Sequence, residues 1–132
     1  MAATAATLLG GIPSTLAAWL AGGDVTQAVR AAGAMLLRAD AGTADLLVTG
    51  ALLHGAISFF WASVLMVTLP RRRIIVWAVV AGTIIGVVDL RLIGRAFPEI
   101  YALDFWPQLA DHVAWGLTVG LVLHYRAVRR LR

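Results

Sequence analysis

Five residues of this 132-residue chain have side chains able to do chemistry in an apolar setting: His54, Ser58, Asp89, Asp111 and His112. An imidazole exchanges protons near neutral pH, and imidazoles gathered with carboxyl groups can relay protons or hold an ion. Each of the five falls in an apolar stretch almost free of other charge. There a carboxylate beside an imidazole costs several kcal/mol unless both find partners, so other helices must supply them.

The spacing places these groups on faces that also carry small residues. Gly50, His54 and Ser58 recur every four residues and share one helix face, as do His112, Gly116 and Gly120; Gly82, Gly86 and Asp89 make a third such stripe. Small residues let a second helix approach closely, so the five glycines are expected at helix contacts. Counting 1.5 Å per residue puts His54 roughly 13 Å below Asp45, with Asp89 and His112 roughly 9 Å below Gly94 and Trp106. The sequence therefore predicts one polar cluster of His54, Ser58, Asp89, Asp111 and His112 in one half of a helix bundle.

The elements that would hold it are apolar spans. Hydrophobic residues make up 61% of the chain and charged residues 14%, well below the charged fraction of a soluble domain. Residues 46–69 contain no charge, and 74–94 and 106–125 are long enough to cross a bilayer. Residues 3–20 form a weaker span, interrupted by Gly10, Gly11, Pro13 and Ser14. Asp24 and Gln27 resemble a capping box that opens an amphipathic helix over 24–38, suited to the membrane interface or to packing over the bundle. Pro70 and three arginines leave so short a link that the helix after 74 is expected to fold back beside the one before it. The expected fold is an all-α polytopic membrane helix bundle, with four transmembrane spans plus one interfacial helix.

Charge sets the orientation. Every basic residue other than histidine is Arg, and seven of the eleven, Arg71, Arg72, Arg73, Arg126, Arg129, Arg130 and Arg132, fall at one edge with no acid among them. The positive-inside rule puts that edge, and with it both termini, in the cytoplasm. The basic excess thus reads as topology, and no nucleic-acid partner is expected. No positive n-region precedes the first apolar stretch, the first Arg being Arg30, so a cleaved signal peptide is not expected.

Several chemistries lack their residues. The chain has no cysteine, hence no disulfide or thiolate site, and no G-x-S-x-G, H-E-x-x-H or P-loop pattern, so no catalytic residue is assigned. Two imidazoles on separate helices could ligate a b-type haem, and two His with two Asp could hold a divalent metal, although neither spacing is diagnostic and no cofactor is predicted. His54 over His112 at an offset of 58 brings Arg71 and Arg72 over Arg129 and Arg130, which suggests a duplicated two-helix unit.

With the His-x-x-x-Ser of His54 to Ser58, the Phe97 and Pro98 loop and the His-x-x-x-Gly of His112 to Gly116, the chain resembles a group of small bacterial four-helix membrane proteins, some loosely labelled sodium:proline symporter-like. The resemblance implies a four-helix inner-membrane fold and no established activity. Three functional readings stay open. One is an auxiliary or structural subunit whose partners are the lipid bilayer and a homo-oligomer or larger membrane complex. The second is a small transporter or a proton- or ion-conducting subunit. The third is a haem-binding redox subunit.

Overall fold

Among the described residues, three helices are long and apolar enough to cross a membrane: Ala3–Leu20, Thr43–Thr68 and Ile74–Ala96. The computed structural model describes residues 2–129, and these form helices and turns with no strand among them. The first apolar stretch is divided. α1 (Ala2–Gly10) stops and α2 (Ile12–Leu20) restarts after Gly11, where Pro13 lacks the N–H needed to continue the ladder and two glycines weaken it. Then come α3 (Gln27–Ala34), α4 (Thr43–Thr68) and α5 (Ile74–Arg91). A 3-10 turn at Ile93–Ala96 and the single turn of α6 (Pro98–Tyr101) lead into α7 (Phe105–Arg129).

α7 is the hub of the bundle, packed against α5 on one side and against α1 and α2 on the other. At 25 residues it has the length of a span. It is not among the three helices apolar enough by composition, because Asp111, His112 and His124 interrupt it. A helix enclosed by others can carry such groups where a lipid-facing helix cannot. Its seam with α5 is built on glycine. A methyl on Gly82 would stand 2.5 Å from the His112 carbonyl oxygen, and one on Gly116 2.5 Å from that of Ala78. Further along, one on Gly120 would meet the Ile75 backbone, and one on Gly86 the His112 ring. The pairing of Ile75 with Gly120 and Gly86 with His112 makes the two helices antiparallel. Arg71, Arg72 and Arg73 therefore lie at the same end as Arg126 and Arg129. Arg130 and Arg132 lie outside the described residues.

Two local expectations need correction. α4 and α5 do not pack as a tight hairpin; their close partners are α3 and α1 for α4 and α7 for α5, although the link turns sharply through Arg73 at φ 56. The cavity described below lies between them, and the short link constrains only their adjoining ends. The capping box also fails. Asp24 accepts hydrogen bonds from the backbone N–H and hydroxyl of Thr26 and pairs with Arg30 at 2.6 Å, so it braces the approach to α3 without capping it. Those bonds hold its carboxyl below the usual carboxylate range, with the Thr26 hydroxyl the main cause. α3 ends at Ala34, short of residue 38, and buries Ala31 and Gly33 against α4, where Gly33 abuts the Leu46 backbone and Gly50 abuts Val29 and Gly33.

The core is small and sits toward the arginine end, where Ala3 and Ala6 meet Ala62, Leu65, Val119 and Leu123. Outside it, large apolar residues stand exposed, with Val67 at 82% and Leu52 at 70%. Leaving such a side chain in water costs about 1.5–3 kcal/mol relative to burial, so this surface needs lipid or a partner over it.

Candidate functional site

Where α4 parts from α5, the bundle encloses a cavity of about 320 Å³ toward the acidic end. His54 and Ser58 on α4, Asp89 on α5, and Asp111 and His112 on α7 all line it. α1 and α2 add Thr7, Ser14 and Thr15 to the wall, α3 and α6 add apolar residues such as Val29 and Ile100, and Ile57 of α4 and Ile85 of α5 extend its apolar part. The five polar residues thus share one space but divide into separate contacts.

The first contact joins α7 to α5. His112 Nδ1 lies 2.9 Å from the Gln108 carbonyl oxygen, which can only accept, so Nδ1 carries a proton. Nε2 lies 3.3 Å from Asp89 Oδ2. With Nδ1 committed, that contact is attractive only if one more proton lies between imidazole and carboxyl, on either of them. The pair is then a one-proton site of zero net charge, partly buried with 25% of the His112 and 30% of the Asp89 side chain exposed.

The second contact joins α7 to the broken first helix. Asp111 Oδ1 accepts the backbone N–H of Ser14 at 2.8 Å, and Oδ2 accepts its hydroxyl at 2.5 Å. Ser14 sits in the first turn of α2, so the carboxylate satisfies an N–H that the break left without a helical acceptor, and it faces the positive end of that helix. Pro13 and Asp111 are thus two parts of one device, in which the break presents the donors and the last helix presents the acceptor.

His54 and Ser58 touch neither pair. His54 is exposed to the cavity, beside the Thr7 backbone of α1 and within electrostatic range of His112, but it makes no hydrogen bond to Asp89, Asp111 or His112. Ser58 is buried on the same wall. Gly82, Gly86, Gly116 and Gly120 lie on the seam that sets the depth of His112 against Asp89, while Gly50 serves the separate contact with α3.

Three contributors escaped the sequence reading. Ser14 was visible as a polar residue beside Pro13, but its partner is 97 positions away. Gly33 stood in a helix read for its polar face. Trp115 packs at 6% exposure, with its indole N–H buried and without an acceptor, and other parts of the side chain line the cavity. A buried donor left unpaired costs about 1–3 kcal/mol.

A metal fits poorly. Among the described residues no three His, Asp or Glu side chains stand together as ligands. Both ring nitrogens of His112 are also engaged, so haem ligation through it would require breaking the contact to Asp89 or to Gln108. No protein-family model, curated protein or solved structure matches the chain.

Proposed function

We propose that this protein is a small integral protein of a bacterial inner membrane that binds a small solute from the outer side. In this reading α1 with α2, α4, α5 and α7 cross the bilayer, α3 lies at the outer interface, and both termini are cytoplasmic. The observation that carries it is the cavity, which gathers polar residues from five helices in a lining that is mostly apolar, the usual composition of a small-molecule site, at the lower end of their roughly 300–1,000 Å³ range. The apolar packing of Ala6, Ala62, Leu65 and Val119 at the arginine end supports binding over continuous conduction, since those side chains offer an ion no polar partners.

The auxiliary-subunit reading is favoured by a different observation: the contacts of Asp111 with Ser14 and of His112 with Asp89 tie three helices together whether or not anything binds. A single cysteine separates the two, and the cysteine-free chain allows a clean measurement. His54→Cys in oriented vesicles should react with a small membrane-impermeant thiosulfonate added outside and not with the same reagent added inside. Labelling from neither side would leave the polar contacts as structural ties, and labelling from inside alone would invert the proposed access.

A further inference from the structure

The arginine end of the bundle carries charge that the described fold does not compensate. Arg71, Arg72 and Arg73 on the link before α5, and Arg126 and Arg129 on α7, are all exposed. The antiparallel seam, in which Ile75 lies against Gly120, brings the two groups to one end. All seven acids fall toward the opposite end, with Asp45 opening α4, Asp89 near the end of α5 and Asp111 early in α7. Among the described residues the three ion pairs engage Arg30, Arg38 and His112, and none engages these five arginines. Their depth narrows what can compensate them. Directly below the link, Met66 and Val67 of α4 and Val76 and Trp77 of α5 are exposed. Such a surface faces hydrocarbon, so the hydrocarbon boundary falls at the link and its guanidinium groups stand among lipid headgroups. Only five residues, Leu69 to Arg73, join the two helices, too few to carry the charges out into bulk water. On α7 the guanidinium of Arg129 lies 4.7 Å from the centre of the exposed Tyr125 ring, which keeps it near the same surface.

We infer that this end binds an anionic phospholipid, its headgroup phosphate held by Arg71, Arg72 and Arg73 and its acyl chains lying against Met66, Val67, Val76 and Trp77. Arg126 and Arg129 strengthen the positive field from α7. A guanidinium fork matches the oxygens of a phosphate, and each arginine beside an anionic surface adds about fivefold in affinity. A soluble phosphate or an acidic protein would meet the charge but would leave the apolar residues beneath the link uncovered, whereas a phospholipid meets both. The site is independent of the solute cavity, which lies toward the other end of the bundle.

The test follows lipid binding to the full chain in detergent by native mass spectrometry, using phosphatidylglycerol and phosphatidylcholine with the same acyl chains. Phosphatidylglycerol should bind at least tenfold more tightly. Arg71→Gln combined with Arg72→Gln should weaken it about tenfold or more and leave phosphatidylcholine unchanged; Arg73, which makes the turn at φ 56, stays in place. Arg126→Gln combined with Arg129→Gln should weaken it about threefold to tenfold, and this variant serves if the link variant does not fold. Arg91→Gln combined with Arg95→Gln removes the same charge at the far end of α5 and should change binding less than about twofold. Equal affinity for the two lipids, or equal losses from the link and the far-end variants, would overturn the site. Displacement of bound phosphatidylglycerol by inorganic phosphate would overturn it in favour of a soluble anion, and displacement by equimolar polyglutamate in favour of an acidic protein.

Discussion

Gly82 offers the sharpest test of how the α5 and α7 seam supports the polar pair. Adding one methyl at this position brings a carbon to 2.5 Å from the His112 carbonyl oxygen, and the Gly116 Cα is only 3.1 Å away. Ordinary carbon-to-oxygen contacts are about 3.3–3.6 Å, so the helices must part by roughly 0.8 Å, and backbone on both sides leaves no flexible side chain to yield. The same movement lengthens the contact of His112 with Asp89 from 3.3 Å to about 4 Å, beyond hydrogen-bond range. Overpacking costs about 1–3 kcal/mol and the lost hydrogen bond about 1–3 kcal/mol, giving roughly 2–6 kcal/mol for Gly82→Ala. Gly55 is the control, because it lies in a helix with nothing within 4 Å of an added methyl, and Gly55→Ala should be neutral or stabilising by up to about 1 kcal/mol. Denaturant titration in bicelles, followed by tryptophan fluorescence, measures both. Equal stability of the two variants would refute the seam as the device that sets the pair's geometry.

Three other outcomes follow from the structure. Single cysteines at Arg72 and Glu99 should label from opposite sides of oriented vesicles, with Arg72 inside; labelling of both from one side would end the proposed topology. Asp111→Ala should destabilise the fold by about 2–4 kcal/mol by stranding two Ser14 donors, and Asp111→Asn by less, since its amide oxygen still accepts the Ser14 N–H; equal losses in denaturant titration would show that the Ser14 contact contributes nothing. The Asp24 carboxyl has its pKa lowered in the folded state, so its bracing of α3 should be complete above pH 3.8, its ordinary value, and fade as the pH falls through the folded value. Exchange of the Thr26 amide should accelerate only in that acid range, and acceleration already at neutral pH would contradict the Asp24 contact.

The legible parts of the fold were those decided within one segment. The charge-free run of α4 and the apolar run of α5 declare membrane-length helices without reference to anything else, and ionisable residues inside apolar stretches stand out because their environment is costly. The seam glycines were visible through spacing alone. What escaped depends on contacts between distant segments. The capping box failed because Thr26, two residues from Asp24, competes for the same carboxylate, and local pattern cannot rank the two. The hairpin of α4 and α5 failed because a short link limits only the adjoining ends, while packing chose α7. Gly33 was hidden because a small residue on an amphipathic helix looks like filler until Leu46 lies against it. The stripe of His112, Gly116 and Gly120 beside Asp111 already marks α7 as a helix that others must enclose, and its polar residues lower its hydropathy just where α5, α1 and α2 make them tolerable.

The interrupted first helix bears on how the chain is made. α1 and α2 are synthesised before the helices they pack on, yet the Ser14 N–H and hydroxyl find their acceptor on Asp111, 97 positions later. Until α7 arrives, the leading segment carries unpaired donors at its kink, and α5 presents a glycine face and Asp89 with nothing against them. α7, which follows all of them in the chain, is the one that seals both. Folding of this bundle therefore waits for α7, and a chain halted before it lacks a partner for α2 as well as for α5.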